Sequence, residues 1–169
     1  MLVFEHKALF NTRGEIDRDA PLPQIGKAEV VRQGDDVTVV ATQVMRARAL
    51  VAAEALAGEL ELEVIDPRTV SPLDVETITE SVTRTGRLVV VQECPPAGSW
   101  GGTLVAGLAC DHLEILHRAP VLVSADATPI PYSGALEAAW LPDAERIVAA
   151  CRQLTGLGEP RIGRRAHVS

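Results

Sequence analysis

The stretch that most constrains the fold is residues 63–93, which has the pattern of a strand, a helix and a second strand. Residues 60–65 alternate apolar and charged side chains and then turn apolar, which is typical of a strand that enters a core. Leu88–Val91 is apolar without alternation, as expected of a central strand covered by helices on both faces. A strand, a helix and a strand in this order predict two parallel strands joined by a right-handed crossover.

The helix of this unit has sequence signals at both ends. We expect Ser71 to be its N-cap and Pro72 its first residue, where the missing N–H costs nothing. Gly86 tolerates the left-handed backbone that commonly ends a helix. Apolar residues recur at helical spacing between these ends, which predicts one buried stripe. The stripe consists of Val75, Ile78 and Val82.

The rest of the chain alternates strands and helices in the same way. Residues 28–32 and 37–41 predict two strands, and the turn signal Gly34-Asp35 between them favours an antiparallel hairpin. A further strand is expected at residues 121–124, and helices are expected at residues 44–58, at residues 103–116 and from Pro142 onward. The predicted fold is α/β, a three-layer α/β/α arrangement with a five-stranded, mixed but mostly parallel sheet.

The two ends of the chain differ in composition from its middle. Residues 1–10 carry too little apolar content for a domain, and we interpret them as the end of a domain that is missing from this chain. Residues 11–25 contain glycine and proline among polar side chains and are interpreted as a linker. The predicted domain is residues 26–157, and a disordered tail is expected at residues 158–169.

The charge of the chain limits its partners. The net charge is −7, but residues 1–158 hold 13 basic and 22 acidic side chains, a net charge of −9. An acidic surface disfavours nonspecific binding to nucleic acid or anionic membrane, and it is compatible with a basic protein partner or with simple solubility. Aromatic residues make up 3% of the chain, too few for a base-stacking surface.

The cysteines predict a reducing compartment. Cys94, Cys110 and Cys151 are far apart and form no CxxC pair, so we expect reduced, mostly buried thiols. The sequence also has neither a long apolar run nor an export signal, and we therefore expect a cytoplasmic protein without membrane or nucleic-acid partners.

Sequence motifs for catalysis, cofactors and metals are lacking. The histidines are scattered, and Ser133 is not preceded by the glycine that a nucleophile elbow requires. Gly98, Gly101 and Gly102 lack the spacing of a dinucleotide or phosphate loop, so we interpret them as glycines that let a helix approach a strand closely. No catalytic, cofactor-binding or metal-binding residue is predicted.

Two charged residues that follow apolar strands are the candidates for a site. Glu93 follows a central strand, and Arg68 follows the preceding strand. Open α/β sheets bind ligands at the carboxyl ends of their strands. We therefore expect Glu93 either in a crevice or subunit interface, or as a buried acid satisfied by backbone N–H groups or an arginine. An ion pair between Glu93 and Arg68 fits the same geometry.

Several runs of the sequence resemble one known family. They are GKAEVVRQGDDVTVVAT at residues 26–42, VIDPRTVSPLD at 64–74, TGRLVVVQE at 85–93, DATPIPY at 126–132 and LPDAERIV at 141–148. Together they closely resemble the C-terminal domain of the β subunit of thiamine-diphosphate-dependent 2-oxo acid dehydrogenases. These are the decarboxylase components of the pyruvate, branched-chain and acetoin dehydrogenase complexes. VFEHKALF at residues 3–10 is similar to the end of the preceding pyrimidine-binding domain of that subunit.

The resemblance implies a transketolase C-terminal fold without catalytic residues of its own. In the family, the glutamate that activates thiamine lies in the pyrimidine-binding domain, and the metal and diphosphate motif lies in the α subunit. This chain alone is therefore expected to be inactive. The complete parent enzyme would use thiamine diphosphate and magnesium to decarboxylate a 2-oxo acid, or to cleave acetoin, and to transfer the product to lipoamide. The implied partners are a second copy in a homodimer, an α subunit and an acyltransferase core.

Two alternative functions stay open on the sequence alone. One is a free-standing regulatory or interaction domain with the same fold, and the other is a fragment of a transketolase-like synthase. A pyrimidine-binding domain encoded in frame upstream, or an adjacent α-subunit gene, would favour the dehydrogenase interpretation. A natural start at Met1 would favour the free-standing domain.

Overall fold

The computed structural model describes residues 2–15 and 19–157, and the predicted tail at residues 158–169 lies outside them. No helix in these ranges has the length and apolar character needed to cross a membrane. The strands are β1 (Glu29–Arg32), β2 (Val37–Ala41), β3 (Leu62–Asp66), β4 (Leu88–Val91) and β5 (Val121–Val123). The helices are α1 (Gln43–Ala55), α2 (Val75–Thr85), α3 (Trp100–Asp111), α4 (Gly134–Trp140) and α5 (Ala144–Thr155), with 3-10 turns at Lys7–Leu9 and Leu113–Ile115.

The five strands form one mixed sheet in the order β1-β3-β2-β4-β5. β1 pairs antiparallel with β3, and the other neighbouring strands are parallel. The prediction of a five-stranded, mixed but mostly parallel sheet is therefore confirmed. The predicted hairpin of β1 with β2 is wrong, because β3 lies between these two strands.

The connection between β1 and β2 crosses the end of β3 instead of closing a hairpin. At Gly34 an added Cβ would lie 2.3 Å from the carbonyl carbon of Leu62 and 2.5 Å from the carbonyl oxygen of Glu61. Just beyond the crossing, the Asp36 N–H donates to the Glu61 carbonyl at 3.0 Å, and the Asp36 carboxylate accepts from the Glu61 N–H at 2.8 Å. The glycine thus marks a close backbone approach, and hydrogen bonds fix the crossing.

Helices cover both faces of the sheet and produce the predicted three layers. α1 and α5 pack on one face, and α2 and α3 pack on the other. The first core includes Val39, Met45 and Ile147, and the second includes Val40, Ile78 and Leu108. Successive residues of β2 point to opposite faces and are all buried, as expected of a central strand.

α2 is capped by Asp74, so the predicted start at Ser71 and Pro72 is wrong. The Asp74 carboxylate accepts hydrogen bonds from the N–H of Thr77 at 3.3 Å and from its hydroxyl at 2.8 Å. It also accepts from the N–H of Ala28 at 2.9 Å, just before β1. Because the Asp74 carboxylate accepts hydrogen bonds from two segments, it is favoured over the Ser71 hydroxyl as the N-cap. The local sequence pattern does not predict its long-range contact with Ala28.

α3 begins and ends earlier than predicted. The Ser99 hydroxyl caps it by accepting from the Gly102 N–H at 3.0 Å. The predicted helix over residues 103–116 instead ends at Asp111, and a 3-10 turn follows. An added Cβ at Gly101 would lie 2.8 Å from Val90 Cγ1, so the first turn lies against β4. The interpretation of this glycine as a point of close helix–strand approach is confirmed.

The sequence does not predict α4. Residues 134–139 are exposed, and only Trp140 is buried, so the helix has no apolar stripe that a periodicity search would find. The Trp140 indole N–H donates to the Thr128 hydroxyl at 3.1 Å and anchors the end of the helix.

The cysteines differ in burial more than expected. Cys151 is buried, and burial raises the pKa of its thiol to about 12. Cys94 and Cys110 are exposed, so the expectation of mostly buried thiols is wrong for these two residues.

Candidate functional site

The candidate site lies where the carboxyl ends of β2 and β4 meet. These strands are adjacent and parallel, with Ala41 opposite Val91. α1 leaves β2 toward one face of the sheet and α3 leaves β4 toward the other, which opens a crevice between the two connections. The place where neighbouring connections leave on opposite faces is called the topological switch point, and open α/β sheets bind ligands there. Gln43 follows β2 and Glu93 follows β4 at this crevice.

A segment from the beginning of the chain occupies this crevice. The His6 Nε2 lies 3.1 Å from Glu93 Oε1, and the Gln43 side-chain amide donates to the Phe4 carbonyl at 3.0 Å. The His6 Nδ1 accepts a hydrogen bond from the Ala8 N–H at 3.1 Å. Because Nδ1 is an acceptor, the proton of the neutral ring is on Nε2, which donates it to the carboxylate. The His6 and Glu93 side chains are 24% and 29% exposed.

A cleft of about 660 Å³ adjoins the contact between His6 and Glu93. Its volume is in the range of small-molecule and peptide sites. Arg48, Ile130, Glu137 and Trp140 are among its other lining residues. The Arg48 guanidinium donates to the carbonyl of Pro142, which ties α1 to the connection between α4 and α5. The cleft therefore combines apolar surface with both acidic and basic groups.

Gln92 fixes the position of Glu93. Its side chain is buried, and the oxygen accepts a hydrogen bond from the Gly101 N–H at 3.1 Å. The amide nitrogen donates to the carbonyls of Cys94 at 3.2 Å and Pro95 at 3.3 Å. These bonds join the end of β4 to the first turn of α3 and to the loop between them. Glu93 is thus presented by a rigid connection.

Arg68 has a partner other than Glu93. Its guanidinium lies 2.6 Å from the Glu29 carboxylate, which belongs to the edge strand β1. The Arg68 backbone has a positive φ of 56°, and its N–H donates to the Asp66 carboxylate at 2.9 Å. The predicted pair of Glu93 and Arg68 is therefore not among the ion pairs of the described residues. A functional role for either residue stays a prediction.

Cys94 lies beside Glu93 in the wall of the first cleft. Partial desolvation of its sulfur, together with the Glu93 carboxylate, raises the pKa of the Cys94 thiol, which keeps it protonated and weakly nucleophilic. Within the described ranges, no group of three or more His, Cys, Asp and Glu side chains is placed to hold a metal ion.

A second groove runs between α1 and α5 and has a volume of about 840 Å³. Val51, Ala55 and Val148 contribute apolar surface to it. At its rim the Arg152 guanidinium lies 2.6 Å from the Glu59 carboxylate. An apolar groove with charged residues at the rim is the usual composition of a protein-binding surface.

Sequence reasoning missed three residues that build the first crevice. His6 lies in a segment interpreted only as the end of another domain, and its partner is 87 positions away. Gln43 has a positive φ of 49°, which no local pattern predicts for a glutamine. Trp140 lies in the unpredicted α4. The only available signal was the rarity of tryptophan in this chain, which contains two.

Known proteins resemble this chain over most of its length. Residues 26–147 match the family described as the transketolase C-terminal domain. The chain is 41% identical over 150 residues to the β subunit of acetoin:2,6-dichlorophenolindophenol oxidoreductase from Cupriavidus necator, covering 88% of this chain and 44% of that protein. The same subunit from Bacillus subtilis is 36% identical over 160 residues, covering 94% of this chain and 46% of that protein. The β subunit of the pyruvate dehydrogenase E1 component from Gracilaria tenuistipitata var. liui is 32% identical over 155 residues, with coverages of 91% and 48%.

A solved structure described as the inactive beta4 tetramer of a split-gene transketolase has the same fold, with a TM-score of 0.71 and 28% identity. It is matched over 85% of this chain and 46% of its own chain. The chain thus spans about half the length of the relatives that it matches. The family resemblance inferred from the sequence is confirmed. The chain belongs to the transketolase C-terminal domain family, and its homologues are the β subunits of acetoin and pyruvate dehydrogenases.

Proposed function

We propose that this chain is the non-catalytic C-terminal domain of the β subunit of an acetoin or 2-oxo acid dehydrogenase decarboxylase component. In this role it holds two β subunits together and provides a docking surface for the acyltransferase core. The observation that carries the proposal is the continuous match to dehydrogenase β subunits over 88% to 94% of the chain. The complete parent enzyme would supply the α subunit, thiamine diphosphate and magnesium.

An exposed apolar surface supports the assembly role. Ile130, Tyr132 and Leu136 are 66%, 106% and 61% exposed, and they lie within seven residues of one another, in and just before α4. α4 is held mainly through Trp140, so most of its surface faces solvent. Large apolar side chains exposed within so short a stretch are typical of a protein–protein interface. We assign this surface, the Ile130 patch, to contact between β subunits.

Sedimentation equilibrium of the full chain tests the assembly role. We expect a reversible dimer, because β subunits would pair through the same surface on both copies. The double variant Y132S/L136S should raise the dissociation constant by at least about tenfold, since it removes two exposed apolar anchors.

The matched control is Leu113→Ser, which changes a leucine that is 65% exposed but lies in a 3-10 turn outside the patch. This variant should sediment as the wild type does. A wild-type chain that stays monomeric at the highest accessible concentration would contradict the assembly role. Equal weakening by the control would contradict the assignment to the Ile130 patch.

Charge and groove shape support the docking role. The chain has a net charge of −7, and the groove between α1 and α5 offers apolar surface beside charged groups. Both features suit a small basic partner such as the subunit-binding domain of an acyltransferase. Surface plasmon resonance with an immobilised basic subunit-binding domain should give an affinity that falls as the salt concentration rises, because charge attraction is screened. No binding at low salt, or salt-independent binding, would count against docking by charge complementarity.

Gene context separates this function from a free-standing interaction domain. A reading frame for a pyrimidine-binding domain joined upstream, or an adjacent α-subunit gene, is the expected arrangement. The dehydrogenase role also predicts a cytoplasmic location, which cell fractionation would test.

A further inference from the structure

Most large apolar side chains of the N-terminal segment are exposed, and Leu9 is partly buried. Leu2, Phe4 and Phe10 are 85%, 76% and 64% exposed, although the segment between them lies in the crevice. Its contacts with the residues that follow β2 and β4 are polar. They are the hydrogen bond from Gln43 to the Phe4 carbonyl and the hydrogen bond between His6 and Glu93.

Both residues that bind the segment are held in defined positions. Gln43 has φ +49°, a backbone conformation that is uncommon outside glycine and is often found where a residue makes a functional contact. Glu93 follows Gln92, whose buried side chain ties β4 to α3. The two residues stand on opposite sides of the switch point, one after each central strand.

The segment presents matching groups two residues apart. The Phe4 carbonyl accepts from Gln43, and the His6 imidazole donates to Glu93. His6 has extended backbone angles, φ −94° and ψ 117°, before the chain turns at Lys7–Leu9. The ring orientation is fixed by the Ala8 N–H, which donates to Nδ1.

We propose that the crevice between β2 and β4 is a peptide-binding site for an extended segment that offers a backbone carbonyl and, two residues later, an imidazole N–H. In this chain the ligand is the chain's own residues 4–9. A site that depends on two hydrogen bonds and little apolar burial binds reversibly. The crevice that other α/β sheets use for small ligands is therefore used here to hold a piece of the polypeptide.

Limited trypsin digestion of the full chain tests this proposal. Lys7 follows His6 in the segment that Gln43 and Glu93 hold against the sheet, so docking should slow trypsin cleavage between Lys7 and Ala8. Cleavage after Arg13, which is exposed and outside any helix or strand, provides a reference in the same molecule. In Glu93→Ala and in Gln43→Ala, the rate of cleavage after Lys7 relative to that after Arg13 should rise roughly five- to thirtyfold. This is the change expected for the loss of one hydrogen bond when the segment opens and closes faster than trypsin cleaves it. Each variant leaves the local bond between His6 and Ala8 intact.

The control is Glu137→Ala, which removes a different carboxylate from the wall of the same cleft. Trypsin should cleave this variant after Lys7 and after Arg13 in the same ratio as the wild type. If all three variants have the same thermal unfolding midpoint as the wild type, the loss of protection from trypsin is local to the segment. Because Gln43 and Glu93 contact different residues of the segment, each variant removes a different contact.

Three results would overturn the proposal. One is an unchanged cleavage ratio in both Glu93→Ala and Gln43→Ala. The second is equal acceleration in Glu137→Ala, which would assign the effect to the charge of the cleft. The third is protection that disappears on dilution of the wild-type chain, which would mean that the segment comes from a second copy.

Discussion

The carboxylate of Asp74 connects two segments that are distant in sequence. It caps α2 through Thr77, and it also accepts from the N–H of Ala28 just before β1. Although burial acts to raise it, these hydrogen bonds and the nearby Lys27 ammonium hold the pKa of Asp74 below its usual value. A single side chain thus fixes the edge strand against the helix that crosses the sheet.

Substitution of this carboxylate should make stability depend less on pH. We expect Asp74→Ala to lower the free energy of unfolding at neutral pH by about 1–3 kcal/mol, through loss of a cap and of a buried acceptor. Because the folded pKa is lower than the unfolded value of 3.8, the ionised group stabilises fully above that value, and this stabilisation is lost as the pH falls through the folded pKa. Urea unfolding of wild type and variant should therefore differ most at neutral pH and converge in acid. A difference that stays constant with pH would contradict this assignment.

Residues with local partners could be predicted, and residues with distant partners could not. Gly86 was expected to end α2 and does so with φ +68°. Glu93 was identified as a candidate because it follows an apolar strand, but its contact with His6 depends on how the N-terminal segment returns to the sheet. Local propensity contains no information about such a return.

At the scale of elements, strands were predicted more accurately than their neighbours in the sheet. The pattern of β1 and of β2 was clear, but a short connection suggested a hairpin. In the structure β3 pairs with both strands, and Gly34 allows the connection to cross it. β2 pairs with the buried strand β3, whose residues lie more than twenty positions further along the chain. The sequence around the short connection therefore does not reveal this pairing.

Two glycines of α3 provide a matched test of helix–sheet packing. An added Cβ at Gly101 would lie 2.5 Å from the Gln92 side-chain oxygen, whereas one at Gly107 would meet nothing within 4 Å. Gly101→Ala should therefore lower the free energy of unfolding by about 1–3 kcal/mol through overpacking. Gly107→Ala should leave it unchanged or raise it by up to about 1 kcal/mol, because alanine favours helix. Urea unfolding measures the free-energy change of each variant. Equal changes in Gly101→Ala and Gly107→Ala would show that α3 does not pack against Gln92.

At the scale of the whole molecule, the fold class followed from the order of strands and helices. The alternation of apolar strands with amphipathic helices predicted three layers, and both faces of the sheet are covered as expected. The boundaries proposed at residues 10, 25 and 157 stay predictions. α4 and the Ile130 patch were beyond prediction, since an exposed helix without an apolar stripe carries no periodic signal.

We propose that this chain assembles and docks, while the thiamine chemistry belongs to other parts of the parent enzyme. Calorimetric titration of the full chain with thiamine diphosphate and magnesium tests it most directly. We expect no heat of binding, because the family resemblance assigns the thiamine-activating glutamate to the pyrimidine-binding domain and the metal and diphosphate motif to the α subunit. Saturable binding with a micromolar dissociation constant would contradict the account.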